Sequence, residues 1–137
     1  MSLKQKVWSD PEERAALARG AVGHWCGGAA RWMLTTGQSR AETCRLRWCD
    51  IATLDRGHLM YAELWQRRRA AVEATARTGT PLALMRVFPN FYGQPMNPTT
   101  LADRLREMTC RGRELLADNG GSGHGGAVHQ RERAGAD

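Results

Sequence analysis

The sequence predicts a mainly helical α+β domain, and three observations carry that prediction. Stretches with apolar residues at helical spacing recur between capping and glycine signals. A partly β-branched apolar run, PLALMRVFPN, interrupts them. The 137 residues, 42% of them hydrophobic, suffice for one compact core but not comfortably for two.

The elements follow in order. In SDPEERAALARGAV, Ser9 or Asp10 is a cap, Pro11 stands in the first turn, and Glu12 and Glu13 lie beside the positive end of the helix dipole. A helix is expected near residues 10–19. Trp25, Ala29, Trp32 and Met33 then recur at helical spacing and predict a second helix near 23–36, ended by Gly37. Gly27 and Gly28 weaken it but let a neighbour approach closely. Ser39 with Glu42 three residues on is a capping box, which predicts a third helix near 39–50. Leu46 and Cys49 continue one of its faces, and Ile51 lies just past its end.

RGHLMYAEL reads as a short strand near 58–63, and WQRRRAAVEATARTG as a polar helix closed by Gly79. PLALMRVFPN reads as a buried extended segment near 84–88, and FYGQPMNP as a turn. TTLADRLREMTCRGRELLAD predicts a last helix near 99–116, capped at Thr99 or Thr100, with Leu101, Leu105 and Met108 on its buried stripe. From Asn119 the chain is glycine-rich and loses periodicity. Residues 1–118 are therefore the expected domain and 119–137 a disordered tail. The abruptness of that change suits a truncated or frameshifted gene better than a designed tail.

Twenty Lys+Arg against fourteen Asp+Glu give a net charge of +6, which suits a polyanionic partner. Lys4 and Lys6 are the only lysines, so the excess is arginine, a residue preferred for bidentate phosphate contacts. A GC-rich genome produces the same bias. The opening MSLKQKVWSD has no apolar core of a secretory signal, and no run approaches the roughly 18 apolar residues of a membrane span. A cytoplasmic location, of bacterial or phage origin, is expected, with nucleoid association when DNA is bound. Cys26, Cys44, Cys49 and Cys110 form no CxxC pair and have no histidine at finger spacing. They are read as reduced, buried thiols rather than metal ligands.

The segment TGQSRAETCRLRWCDI resembles the first conserved box of the tyrosine recombinase, or phage integrase, catalytic domain. The likeness rests on Thr36, Gly37, Arg40, Glu42, Leu46, Trp48, Asp50 and Ile51. VFPNFYGQPMNPTTLADRLREM resembles the stretch in which a strand, a glycine-proline turn and a helix pack over DNA, and WSDPEERAALARGA is like the helix that often begins that domain. The likeness spans roughly residues 7–116 and implies the front part of a DNA breaking-rejoining catalytic domain, acting in DNA integration and recombination. Such enzymes form a phosphotyrosyl link, with arginines clamping the phosphate, a hairpin lysine and a histidine moving protons, and no metal or other cofactor.

The chain departs from that pattern in four places. Ser39 stands where the family usually has its first arginine, and Arg40 follows one residue later. No lysine follows Lys6; the turn-like ARTG at 76–79 offers Arg77 instead. His124 and His129 are followed three residues on by Ala127 and Glu132 rather than by arginine. Tyr61 and Tyr92 precede the second box and do not correspond to the distal nucleophile.

The resemblance therefore implies Arg40 as a phosphate clamp and Glu42 in support, without strand cleavage. Arg67, Arg68, Arg69, Arg77 and Arg104 are the candidate contacts to duplex DNA, and self-association on DNA is compatible with this reading. Trp25, Trp32 and Trp48 are expected in the core, and His24 and His58 at ordinary surface or packing positions. Two other classes stay open. One is a non-enzymatic regulator using NPTTLADRLREM as part of a helix-turn-helix; the other is a helical interaction domain.

Overall fold

The computed structural model describes residues 10–121, which form a mainly helical fold. Its α-helices are α1 (Pro11–Ala21), α2 (Gly27–Thr36), α3 (Arg40–Arg45), α4 (Tyr61–Thr78) and α5 (Pro98–Gly121). Two short 3-10 turns, Trp48–Ile51 and Leu82–Leu84, fill part of the connections. Among the described residues the expected β content reduces to one isolated antiparallel bridge, between Arg47 and Arg86.

The local signals act as their chemistry dictates. Asp10 caps α1 by accepting from the Glu12 N–H at 3.0 Å. Gly37 and Gly79 end α2 and α4 in the left-handed conformation, at φ 79° and 76°. The Ser39–Glu42 box closes reciprocally: Ser39 Oγ accepts from the Glu42 N–H at 3.1 Å, and Glu42 Oε1 from the Ser39 N–H at 2.7 Å. At α5 the cap is Asn97, which accepts from the Thr99 N–H at 2.7 Å, so the helix starts at Pro98 rather than after the threonines.

Three expectations need correction. The helix expected over 39–50 stops at Arg45, because the Leu46 carbonyl accepts from the Val87 N–H at 2.9 Å and the Trp48 N–H donates to the Met85 carbonyl at 3.1 Å. Those two bonds make the bridge, and residues 46–47 run extended. The strand expected near 58–63 is instead a turn followed by the start of α4. His58 Nδ1 accepts from the Met60 N–H at 3.0 Å, and the His58 carbonyl accepts from the Tyr61 N–H at 3.0 Å. The start of α2 repeats this device, with His24 Nδ1 accepting from the Cys26 N–H and the His24 carbonyl from the Gly27 N–H. Finally, α5 continues through Gly121, past the boundary expected at Asn119. The rest of the expected tail, with His124 and His129, lies outside the described residues.

The core joins Leu17 and Ala21 of α1, Trp32 and Met33 of α2, Val87 and Phe88, and Leu101, Leu105 and Met108 of α5. Helices α1 and α5 form the most extensive pairing, and they cross backbone to backbone at glycine. A Cβ on Gly20 would collide with the Met108 carbonyl, and one on Gly112 with the Ala16 carbonyl. The order of these pairs makes the crossing antiparallel, and Glu13 with Arg113 ties one end of it. Trp32 and Trp48 are buried as expected, whereas Trp25 sits at the surface, edge-on to Phe91 at 5.5 Å between centroids.

Candidate nucleic-acid interface

Arginine surplus has to emerge somewhere on a fold that spends most of its carboxylates locally. Glu42 and Asp50 cap backbone N–H groups, Asp50 accepting from Arg47 N–H at 2.8 Å. Glu63 takes Arg31 in a two-pronged contact, both distances 2.7 Å. That bond holds the Arg31 guanidinium above its usual pKa. Glu107 pairs with His24 at 2.7 Å and lies 3.7 Å from Arg104. The His24 bond is the main reason its carboxyl sits below the usual range.

Arg40 is exposed in the first turn of α3. The end of that helix is already served by the Ser39 hydroxyl and the Glu42 carboxylate, and α3 has only six residues, so its dipole adds little to any anion site. What remains is the guanidinium itself. One turn further on, the buried Cys44 thiol is pushed up by burial, against the pull of Arg86, Arg40 and Arg45. The Arg86 Nη1 lies 3.5 Å from the Cys44 carbonyl, and Arg47 stands opposite Arg86 across the bridge. Among the described residues, no ion pair involves Arg40, Arg45, Arg47 or Arg86.

The five arginines expected to contact DNA do not form one surface. Consecutive helical residues are separated by about 100°, and Arg67, Arg68 and Arg69 diverge accordingly. Arg67 turns inward: its guanidinium carbon lies 4.9 Å from the Phe88 ring centroid and its Nη1 donates to the Val87 carbonyl at 3.2 Å. Burial lowers its pKa, with the Glu63 charge pulling back up. Gly28 makes the room, since a Cβ there would stand 2.9 Å from Arg67 Nη2 and 3.3 Å from the Phe88 ring. Arg68 lies over the Trp65 ring at 5.5 Å. Arg104 is half-covered and offset by Glu107. Arg69 and Arg77 are exposed.

Sequence reasoning missed Arg45, Arg47 and Arg86. For the first two the signal was a period of two: in RLRW, Leu46 and Trp48 go inward while Arg45 and Arg47 go out. Arg86 instead is half-buried in MRVF, where Val87 and Phe88 are both buried.

Two grooves lie near the 3-10 turn at Trp48–Ile51, both lined by Ile51 and Leu54. One, of about 550 Å³, is lined by Glu42, Asp50 and Asp55 with Arg45 and Gln38, an acidic balance that disfavours phosphate. The other, of about 440 Å³, is lined by Trp48, Leu64, Leu82 and the stacked pair Tyr61–Trp65, with Arg68 at its edge. Tyr61 thus faces an apolar groove, and Tyr92 is exposed against Phe91. Neither tyrosine lines the groove that holds Glu42.

Helix α5 is reached from α4 through an irregular connection rather than a short turn, and its Leu101–Leu105–Met108 stripe is buried. The connection is not the short turn that a helix-turn-helix at NPTTLADRLREM would use. No helix among the described residues is long and apolar enough to cross a membrane.

No family model, no curated protein and no solved structure matches this chain.

The cysteines divide in a way the expectation of four buried thiols did not foresee. Cys26 and Cys44 are buried, and Cys49 and Cys110 exposed. Burial pushes the Cys26 thiol up to about 11, so it stays protonated and unreactive near neutral pH. A thiol-specific reagent should label Cys49 and Cys110 quickly in the native protein, and Cys26 and Cys44 only on unfolding. Peptide mapping that finds Cys26 among the fast sites would contradict the buried placement.

Proposed function

We propose that this chain binds duplex DNA through its phosphates, as a non-cleaving counterpart of the integrase-like catalytic domain it resembles. The observation that carries this reading is the uncompensated arginine surface. Glu42 and Asp50 serve as caps and Glu63 holds Arg31, while Arg40, Arg47, Arg69 and Arg77 face solvent. Such a surface attracts a polyanion without reading its bases.

Cleavage is left out because a phosphate clamp lowers a barrier only when a nucleophile and a proton donor share its site. These 137 residues hold no hairpin lysine and no His-x-x-Arg box. Tyr61 is stacked on Trp65 in an apolar groove.

Fluorescence anisotropy with a labelled duplex should give a Kd on the order of 10⁻⁴–10⁻⁶ M at physiological salt, weakening steeply as salt rises. Arg40→Ala should weaken binding by no more than about 3 kcal/mol, the upper range for a charged hydrogen bond. A nicked suicide substrate should trap no covalent complex with wild type, Tyr61→Phe or Tyr92→Phe. Salt-independent binding, or none at low ionic strength, would favour a helical interaction domain. An adduct lost on changing either tyrosine would restore catalysis.

A further inference from the structure

The isolated bridge sets two arginines face to face. Its two hydrogen bonds, Trp48 N–H to Met85 carbonyl and Val87 N–H to Leu46 carbonyl, lie on either side of the Arg47–Arg86 pair. That is the non-hydrogen-bonded register of an antiparallel ladder, in which opposed Cα atoms are about 4.5 Å apart and the side chains share one face. Leu46, Trp48 and Val87 occupy the opposite, buried face. Like charges directly opposed in this way are destabilising. Nothing among the described residues relieves them, because no carboxylate pairs with either arginine. Asp50 is nearby, but its Oδ2 is taken by the Arg47 backbone N–H. The Arg86 guanidinium reaches the carbonyl of Cys44, which places it at the C-terminal end of α3.

We infer that Arg47 and Arg86, paired across the bridge, form a cluster that grips a backbone phosphate of the duplex. This rests on the DNA-binding reading and assigns a phosphate contact to the bridge beside those of the exposed Arg69 and Arg77 on α4. A phosphodiester carries the negative charge the pair lacks, and its oxygens accept from guanidinium forks in the bidentate manner that suits arginine. Neither the acidic groove nor the apolar one is lined by Arg47 or Arg86, so the arginine face of the bridge is separate from both.

The test compares Arg47→Gln/Arg86→Gln with wild type and with Arg19→Gln/Arg111→Gln, an equal loss of charge at exposed positions on α1 and α5. Binding to one duplex is measured across a salt series, and melting is recorded in parallel. The bridge variant should show a salt slope shallower by about 0.9, for one lost phosphate contact. It should melt no lower than wild type, since the removed charges repelled each other. Arg47→Lys/Arg86→Lys should keep most of the slope, and the α1/α5 control nearly all of it. An unchanged slope in the bridge variant, with wild type binding normally, would overturn the cluster while leaving DNA binding intact. A lowered melting temperature together with weaker binding would make the pair a prop for the bridge and also overturn it. No duplex binding by wild type would overturn both readings.

Discussion

Gly112→Ala should cost about 3 kcal/mol or more, a large share of the roughly 5–15 kcal/mol that holds a domain together. The added methyl would overlap the Ala16 carbonyl of α1, and a backbone oxygen in a helix cannot swing aside as a side-chain tip can. Helices α1 and α5 would have to separate, opening the contacts of Leu17, Ala21, Leu105 and Met108. Each large apolar side chain uncovered there forfeits about 1.5–3 kcal/mol. Gly20→Ala should act alike through the Met108 carbonyl. Gly57→Ala is the contrast, because its Cβ would meet only the movable Asp55 carboxylate, at 3.3 Å. That change should stay within about 0.5 kcal/mol. Urea unfolding of the three variants decides the matter, and a Gly112→Ala midpoint equal to wild type would show that the helices do not cross where described.

Arg67 and Arg69 should give opposite results. Arg67→Ala should lower stability by about 2–3 kcal/mol and leave the salt slope of DNA binding nearly unchanged. It removes a desolvated cation–π contact with Phe88, a hydrogen bond to the Val87 carbonyl and the stem that fills the space beside Gly28. Arg67→Met should be milder, since it keeps the stem and removes a charge that burial already disfavours. Glu63 keeps Arg31 as its partner in either variant. Arg69→Ala, two positions on and exposed, should change stability by less than about 0.5 kcal/mol yet weaken DNA binding. Denaturation and anisotropy on the same preparations separate the two. A stable Arg67→Ala with a flattened slope would return Arg67 to the DNA-facing set.

The contrast within Arg67–Arg69 shows where sequence reading stops. Three consecutive arginines look like one basic patch on paper, but helical rotation sends them to three environments. Which one turns inward depends on Phe88 and Gly28, and neither lies near them in the chain. The same limit applied at RGHLMYAEL, whose alternation resembles a strand. The histidine turn at its start and the burial of Leu64 make the following residues helical.

What the sequence by itself determined was punctuation and local pattern: a cap at Ser9 or Asp10, the Ser39–Glu42 box, the ends at Gly37 and Gly79, and the helical spacing of the apolar stripe of α5. Each depends on atoms within a few residues of one another, so each is set before the chain has a tertiary structure. Tertiary structure alone decided the glycine crossing of α1 and α5, the early end of α3 and the pairing of Arg47 with Arg86. These depend on partners distant in the chain. No local preference names the carbonyl a glycine will meet, or the strand a carbonyl will find when it leaves its helix.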